Sequence, residues 1–188
     1  MSIRAKERWD AVERPHYLAS VLAGAHQAIR EGVPEISVFE FGVAGGNGLV
    51  ALQSYAERVE LETDVRIRVY GFDSGEGLPE LCEDYRDHPD QWRPSDYRMD
   101  RAALERRLLP RTTLILGSIR DTVPRFVSEQ RFPSVGFVAC DVDLYSSTKD
   151  VLRLFTLPGR RLLRRVPMYF DDVDFFFNHS FARGVARH

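Results

Sequence analysis

Apolar positions along this chain alternate between two spacings. Between residues 15 and 30, Leu18, Val21, Leu22, Ala25 and Ile29 recur every three or four positions, and Gly32 and Pro34 follow as a stop, so the segment predicts an amphipathic helix. Residues 36–41 form a compact apolar run that reads as a strand and leads into Gly42, Gly45, Gly46 and Gly48. Helical spacing resumes with Leu49, Leu52, Tyr55 and Val59. A second strand is predicted over 67–72, bounded by the turn-forming run Asp73-Ser74-Gly75-Glu76-Gly77. Residues 78–97 keep neither period and carry Pro79, Pro89 and Pro94 among Tyr85, Trp92 and Tyr97. So long an irregular insert in a compact domain needs a reason, and covering an active site is a common one.

The second half repeats the alternation. Residues 101–109 read as helix and 112–116 as a short strand; Asp121 is placed to cap a helix through 129, with Pro124 tolerated in its first turn. The nearly continuous apolar run 135–140 is that of a central parallel strand covered on both faces, and it ends in Asp141-Val142-Asp143. Ser147 and Asp150 make a capping-box pattern for a helix reaching 157, where Pro158-Gly159 interrupts. A last strand over 168–170 delivers Asp171-Asp172, and Pro167 argues against extending it backwards. Elements in this order predict an α/β fold, a doubly wound, mostly parallel, Rossmann-like sheet in a three-layer αβα sandwich. Right-handed crossovers place the C-terminal ends of the strands along one edge. The glycine run, Asp73 and both aspartate pairs would therefore face one crevice.

Composition narrows the class. With 188 residues, 44% of them hydrophobic, the chain can bury one core and is too short for two full domains, so residues 1–188 are expected to form a single domain with 78–97 as its active-site insert. A net charge of −2 gives no general pull towards polyanions, and the cluster Arg160, Arg161, Arg164 and Arg165 lacks the interleaved aromatics of a strand-binding surface, which argues against a nucleic-acid partner. No apolar run approaches the roughly 20 residues of a membrane span. No secretory leader pattern opens the chain, and Cys82 and Cys140 are too few and too far apart for a disulfide framework. The expected compartment is the cytoplasm, with no membrane partner.

Candidate chemistry lies at the strand ends. Gly42, Gly45, Gly46 and Gly48 let backbone approach a ligand closely, and the helix start beyond offers unpaired amides; a nucleoside cofactor and a purely structural turn both use such a loop. No Gly-Lys-Ser/Thr follows, so it is not a P-loop, and its spacing is not the G-x-G-x-x-G fingerprint. Asp73 can accept bonds from two ribose hydroxyls or act as a turn residue, and a nicotinamide dinucleotide would use the same position. Asp141, Asp143, Asp171 and Asp172 converge, and carboxylates in a dry crevice repel unless a cation joins them. Magnesium with oxygen ligands answers that conflict, whereas capping and surface roles explain any one of them alone. Trp92, Tyr85 and Tyr97 could line a substrate cavity or pin the insert. His179 and Phe175, Phe176 and Phe177 could form part of a site or a packing contact, and Lys149 reads as solvated.

Phe39-Glu40-Phe41-Gly42-Val43-Ala44-Gly45-Gly46 resembles motif I of class I S-adenosylmethionine-dependent methyltransferases. Gly71-Phe72-Asp73-Ser74 with Glu76-Gly77-Leu78-Pro79, Gly117 with Asp121-Thr122-Val123-Pro124, Asp141-Val142-Asp143-Leu144-Tyr145-Ser146-Ser147-Thr148, and Asp171-Asp172 are together similar to the macrocin O-methyltransferase group, which modifies sugar hydroxyls of macrolide and aminocoumarin antibiotics. The resemblance spans residues 38–172. It implies a magnesium-assisted O-methyltransferase acting on a hydroxyl of a small natural product or sugar. Glu40, Gly42, Gly45, Gly46 and Gly48 would hold the methionine and ribose portions of S-adenosylmethionine, Asp73 with Ser74 the ribose side, and Gly117 with Ser118 the adenine side. Asp141, beside the cofactor, would ligate magnesium together with Asp171 and Asp172, and Asp143 would act as general base.

Two departures from that pattern stand out. The group usually has a double glycine before its last acidic strand, where this chain has Pro158-Gly159-Arg160-Arg161. It also continues through another helix and an antiparallel strand pair, for which the 16 residues after Asp172 are too few. Two expectations follow: a shortened member without that pair, whose open sheet edge a homodimer or other closure would cover, or a chain whose C-terminus has been lost. The competing readings are a nicotinamide-dependent oxidoreductase, which leaves the aspartates unused, and a non-catalytic scaffold protein that keeps the fold.

Overall fold

The computed structural model describes residues 12–81, 84–129, 131–159 and 161–171. Five strands, β1 (Glu35–Phe41), β2 (Arg66–Asp73), β3 (Thr112–Leu116), β4 (Ser134–Cys140) and β5 (Met168–Phe170), lie in the order β3-β2-β1-β4-β5, with every neighbouring pair parallel. Five α-helices are described: α1 (Pro15–Glu31), α2 (Asn47–Thr63), α3 (Arg101–Glu105), α4 (Ile119–Glu129) and α5 (Tyr145–Leu152). The chain steps outward from β1 to β3 and then returns across β1 to β4. That reversal is the switch point at which α/β sheets open a crevice for ligands.

Side chains alternate across the sheet, so each strand feeds two cores. Ile36, Val38, Ile67, Val69, Phe137 and Ala139 pack with α1 and α2. On the other face Phe39, Phe41, Tyr70, Phe72, Val138 and Cys140 pack with Val123, Phe126 and Val127 of α4 and Val151 of α5. The result is the three-layer αβα sandwich expected from the sequence. The second core is dominated by rings, with the Phe41–Phe72 centroids 4.7 Å apart and the Phe126–Phe132 centroids 4.8 Å apart. On the first face α1 lies against the strand backbone: a Cβ on Gly24 would stand 2.3 Å from the carbonyl oxygen of Gly136 in β4. This close seat brings the start of α1, with Arg14 and Tyr17, to the tip of β1.

Helix boundaries depart from the sequence pattern where distant residues intervene. α4 begins at Ile119 rather than Asp121, which moves Pro124 into the helix interior. The Arg120 carbonyl that the missing proline N–H cannot reach accepts instead from Arg153 Nη1 at 3.0 Å. α5 begins at Tyr145, and Ser147 and Asp150 do not cap it; the buried Asp87 of the insert accepts from Ser146 N at 2.8 Å in their place. α5 gives way to a single 3-10 turn (Arg153–Phe155), and α3 stops at Glu105. Before β5 the chain touches β4 once more, through Leu162 opposite Val135, and Pro167 contributes only its carbonyl, to Val138 N at 3.2 Å. Cys82, Arg160, Asp172, Phe175, Phe176, Phe177 and His179 lie outside the described residues, as does the stretch after Asp171 in which a further strand pair would fall. None of the described helices is long and apolar enough to cross a membrane.

Candidate active site

The strand tips enclose a cavity of about 580 Å³, within the range of cofactor and small-molecule sites. Its first wall is the β1–α2 loop. Gly42 has φ +86°, and a Cβ there would stand 1.6 Å from the carbonyl oxygen of Asp141, so only glycine lets the tips of β1 and β4 meet. At Gly45, by contrast, a Cβ would meet no atom within 4 Å. α2 follows Gly46 with no side-chain cap, which leaves the orphan amides of a helix start on this wall. Gly48 is small for another reason, since its Cβ would lie 1.8 Å from Glu40 Oε1.

Glu40 is 1% exposed. Its Oε1 accepts the Tyr17 hydroxyl at 2.8 Å, while Oε2 has no hydrogen-bond partner among the described residues. Burial pushes the Glu40 carboxyl up to about 8, against the opposing pull of Tyr17 and Arg14. Arg14, the left-handed residue preceding α1, directs Nη1 to Tyr17 Oη at 3.5 Å and to Asp141 Oδ2 at 3.8 Å. Neither residue belongs to a motif of the sequence. Pro15 marks a helix start, and a tyrosine among Leu18 and Val21 on an apolar face brings a hydroxyl that needs a partner, so a signal was present.

Asp73, 8% exposed at the end of β2, accepts Val43 N and Ala44 N on Oδ2 at 2.9 Å each and Gly75 N on Oδ1 at 2.7 Å. Its carboxylate ties the glycine loop to β2, and these amides occupy three of its roughly four acceptor positions. Ser74 closes the next turn by donating to the Gly77 carbonyl. Gly117 and Ser118, between β3 and α4, complete this side of the cavity.

Acidic residues form the facing wall. Asp143 has φ +56° in a tight turn closed by Leu144 N donating to Val142 O at 2.5 Å. A non-glycine residue held there carries strain, and such outliers cluster at functional sites. Asp171, just after β5, accepts the Tyr169 hydroxyl at 2.7 Å. Burial and this bond to Asp171 raise the Tyr169 phenol well above its ordinary range. Among the described residues no three His, Cys, Asp or Glu side chains gather closely enough to hold a metal ion. Asp141 faces Arg14, Asp171 faces Tyr169, and Asp172 lies outside the described residues. The described donors do not by themselves fit the magnesium expected from the sequence.

The insert divides between the two roles open to it. Trp92 and Tyr97 reach the cavity together with Leu78 and Pro79, whereas Tyr85 is 80% exposed. What pins the insert is polar: Arg86 donates to Tyr145 Oη at 2.9 Å, its guanidinium lies 4.0 Å over the Tyr145 ring, and Asp87 caps α5. Lys149 is exposed, with its ammonium 5.6 Å from the Tyr145 ring centroid.

No protein-family model matches the chain, and no curated protein matches it in sequence. Solved structures do. The crystal structure of CalS11, a calicheamicin methyltransferase, aligns with a TM-score of 0.65 at 22% identity, covering 90% of this chain and 69% of that one. The apo structure of CalS11, described as a TDP-rhamnose 3'-O-methyltransferase of calicheamicin biosynthesis, aligns with a TM-score of 0.54 at 22% identity, covering 90% of this chain and 68% of that one. The chain shares this methyltransferase fold. At such identity the likeness is one of architecture. Every residue given above to the methyl donor, the metal or the general base lines this cavity, except Asp172, which lies outside the described residues.

Proposed function

We propose that the chain moves the methyl group of S-adenosylmethionine to a hydroxyl of a small natural product or sugar. The reading rests above all on one juxtaposition. A glycine loop joined to Asp73 and Gly117-Ser118 shares a single cavity with Asp143 in its strained turn, on a fold similar to that of a methyltransferase. The open side of Gly45 and the uncapped start of α2 would receive the donor. Asp73 would use its remaining acceptor capacity on a ribose hydroxyl, and Gly117 with Ser118 would border the adenine.

In the reaction an acceptor oxygen attacks the sulfonium methyl carbon in line, the carbon–sulfur bond breaks, and S-adenosylhomocysteine leaves. Asp143 would take the hydroxyl proton as the new bond forms. Magnesium assistance is a narrower proposal, in which Asp141 and Asp171 would hold the ion and need a third ligand such as Asp172; when bound it would lower the hydroxyl pKa. Turnover that survives chelation with EDTA removes that proposal. Homodimerisation is likewise proposed, and sedimentation velocity reads it.

Calorimetry with S-adenosylmethionine, S-adenosylhomocysteine and NAD, followed by methyl transfer to a panel of sugar, polyketide and phenolic hydroxyls, tests the whole. The expected result is binding of both sulfur nucleosides, no binding of NAD, and transfer to at least one acceptor class. Binding of NAD alone, or of no adenosine ligand by the folded protein, overturns it.

A further inference from the structure

Asp143, the proposed base, stands just ahead of α5 in a turn whose two ends are held by different parts of the molecule. On the strand side Asp141 N donates to Phe41 O at 2.9 Å, so the sheet fixes where the turn begins. The helix side has no such local support. α5 is eight residues long, and its N-cap position is Leu144, which makes no side-chain cap. A helix this short depends on tertiary contacts for its position.

Those contacts come from the insert. Asp87 is 0% exposed and accepts Ser146 N on Oδ1 at 2.8 Å from 59 residues away in the chain. Its negative charge also suits the positive end of the helix dipole. Arg86, next to it, donates Nη1 to Tyr145 Oη at 2.9 Å and lays its guanidinium 4.0 Å from the Tyr145 ring centroid. That fork is aimed by Asp84, whose Oδ1 accepts Nε at 2.8 Å and whose Oδ2 accepts Nη2 at 2.7 Å. The neck of the insert is closed in turn by Leu78 N to Asp96 O at 2.9 Å and Ser95 N to Leu78 O at 2.8 Å. Two neighbouring residues of one loop thus hold the first two residues of α5. A cap alone needs only a short polar side chain at the helix start. A buried carboxylate with a guanidinium contact beside it fixes direction as well. Direction is what a backbone at φ +56° does not keep unless its surroundings impose it.

We propose that Asp87 and Arg86 are positioning residues for proton removal: by fixing the start of α5 they hold Asp143 in the strained turn from which it meets the acceptor hydroxyl. The inference rests on the methyl-transfer reading and on Asp143 as its base. The proton passes from the acceptor oxygen to the Asp143 carboxylate as the methyl–oxygen bond forms, and neither Asp87 nor Arg86 exchanges a proton. Because the same insert presents Trp92 and Tyr97 to the cavity, the loop that borders the acceptor also sets the base.

The test is methyl transfer from S-adenosylmethionine to whichever sugar, polyketide or phenolic hydroxyl of the panel the native chain methylates fastest. Calorimetry with S-adenosylhomocysteine reports that each variant is folded. Asp87→Ala should lower kcat about a hundredfold, with KM for S-adenosylmethionine and Kd for S-adenosylhomocysteine within about twofold of native. Asp87→Asn, whose amide oxygen still accepts Ser146 N, should recover kcat to within about fivefold. Arg86→Met should lose about tenfold. Coupling separates positioning from mere support: in an Asp143→Asn background, itself slower by about a hundredfold or more, Asp87→Ala should cost no more than about threefold further. Should Asp87→Ala fail to bind S-adenosylhomocysteine, the same cycle with Arg86→Met, a partly exposed side chain, decides. Native kcat in Asp87→Ala and Arg86→Met, or losses that multiply in the double variant, overturns the positioning role and leaves the methyl-transfer reading intact. Native kcat in Asp143→Asn removes the base and this inference with it. Transfer to no hydroxyl by a chain that binds S-adenosylmethionine removes the methyl-transfer reading itself.

Discussion

The two walls of the cavity are held by different kinds of bond. On the β1–β2 side, main-chain amides fix the key carboxylate: Val43 N, Ala44 N and Gly75 N all donate to Asp73, and Gly42 N reaches Phe72 O at 2.9 Å. On the β4–β5 side, side chains hold one another, Arg14 against Asp141 and Tyr169 against Asp171. Backbone already fixed by a sheet loses little further freedom when it bonds, whereas long side chains lose rotamers and readily exchange partners. The first wall is therefore preset and the second adaptable. That division suits a constant donor on one side and an acceptor of varied shape on the other, as the proposed reaction requires.

The sharpest way to break the preset wall is Gly42→Ala. Both the positive φ and the overlap with the Asp141 carbonyl oppose a side chain there, so a loss of about 3 kcal/mol or more is expected, read as a lower urea midpoint. Gly45→Ala is its control, because it should stay within about 0.5 kcal/mol of the native chain yet weaken S-adenosylmethionine binding if the donor lies against that loop.

The next effect comes from Glu40, whose carboxyl moves from its ordinary 4.5 up to about 8 on burial. Between those values the native state holds a proton that the unfolded state has lost, so stability falls as pH rises through this window, by at most about 1.4 kcal/mol per unit. It should be level below the window and level again above it. Urea titrations from pH 5 to 8 should show the slope in the native chain and its disappearance in Glu40→Gln.

Smaller effects probe the adaptable wall. Asp87→Ala removes the cap of α5 and the anchor of the insert, for about 1–2 kcal/mol, and limited proteolysis should then cut within residues 78–97 sooner. Arg153→Met uncovers the Arg120 carbonyl beside Pro124; because that contact is exposed, the expected change is below about 1 kcal/mol in thermal unfolding.

The same contrast decides what could be read in the sequence. Each strand announced itself by apolar continuity, and the glycine loop, Asp73, Asp141, Asp143 and Asp171 followed because strand ends of a parallel sheet converge on one edge. What stayed hidden depends on partners far off in the chain. Ser147 and Asp150 carry a capping pattern, yet Asp87 makes the bond, and no local spacing announces a cap from another loop. Pro124 lies deeper in its helix than a first-turn proline because Arg153 covers the carbonyl it strands. Arg14 and Tyr17 belong to this hidden part, because no residue near them in sequence shows that α1 reaches the tip of β1.

The contact of Gly24 with Gly136 also bears on the order of assembly. α1 is the first described helix, and β4 is the fourth strand to leave the ribosome, yet they meet backbone to backbone. A nascent chain can build the parallel β-α-β unit of β1, α2 and β2 early, from neighbours in sequence. Its glycine loop must then wait for β4 before Arg14 has a seat. The cavity is thus completed late, by a long-range contact of the kind that slows folding and prolongs the exposure of unfinished sheet edges.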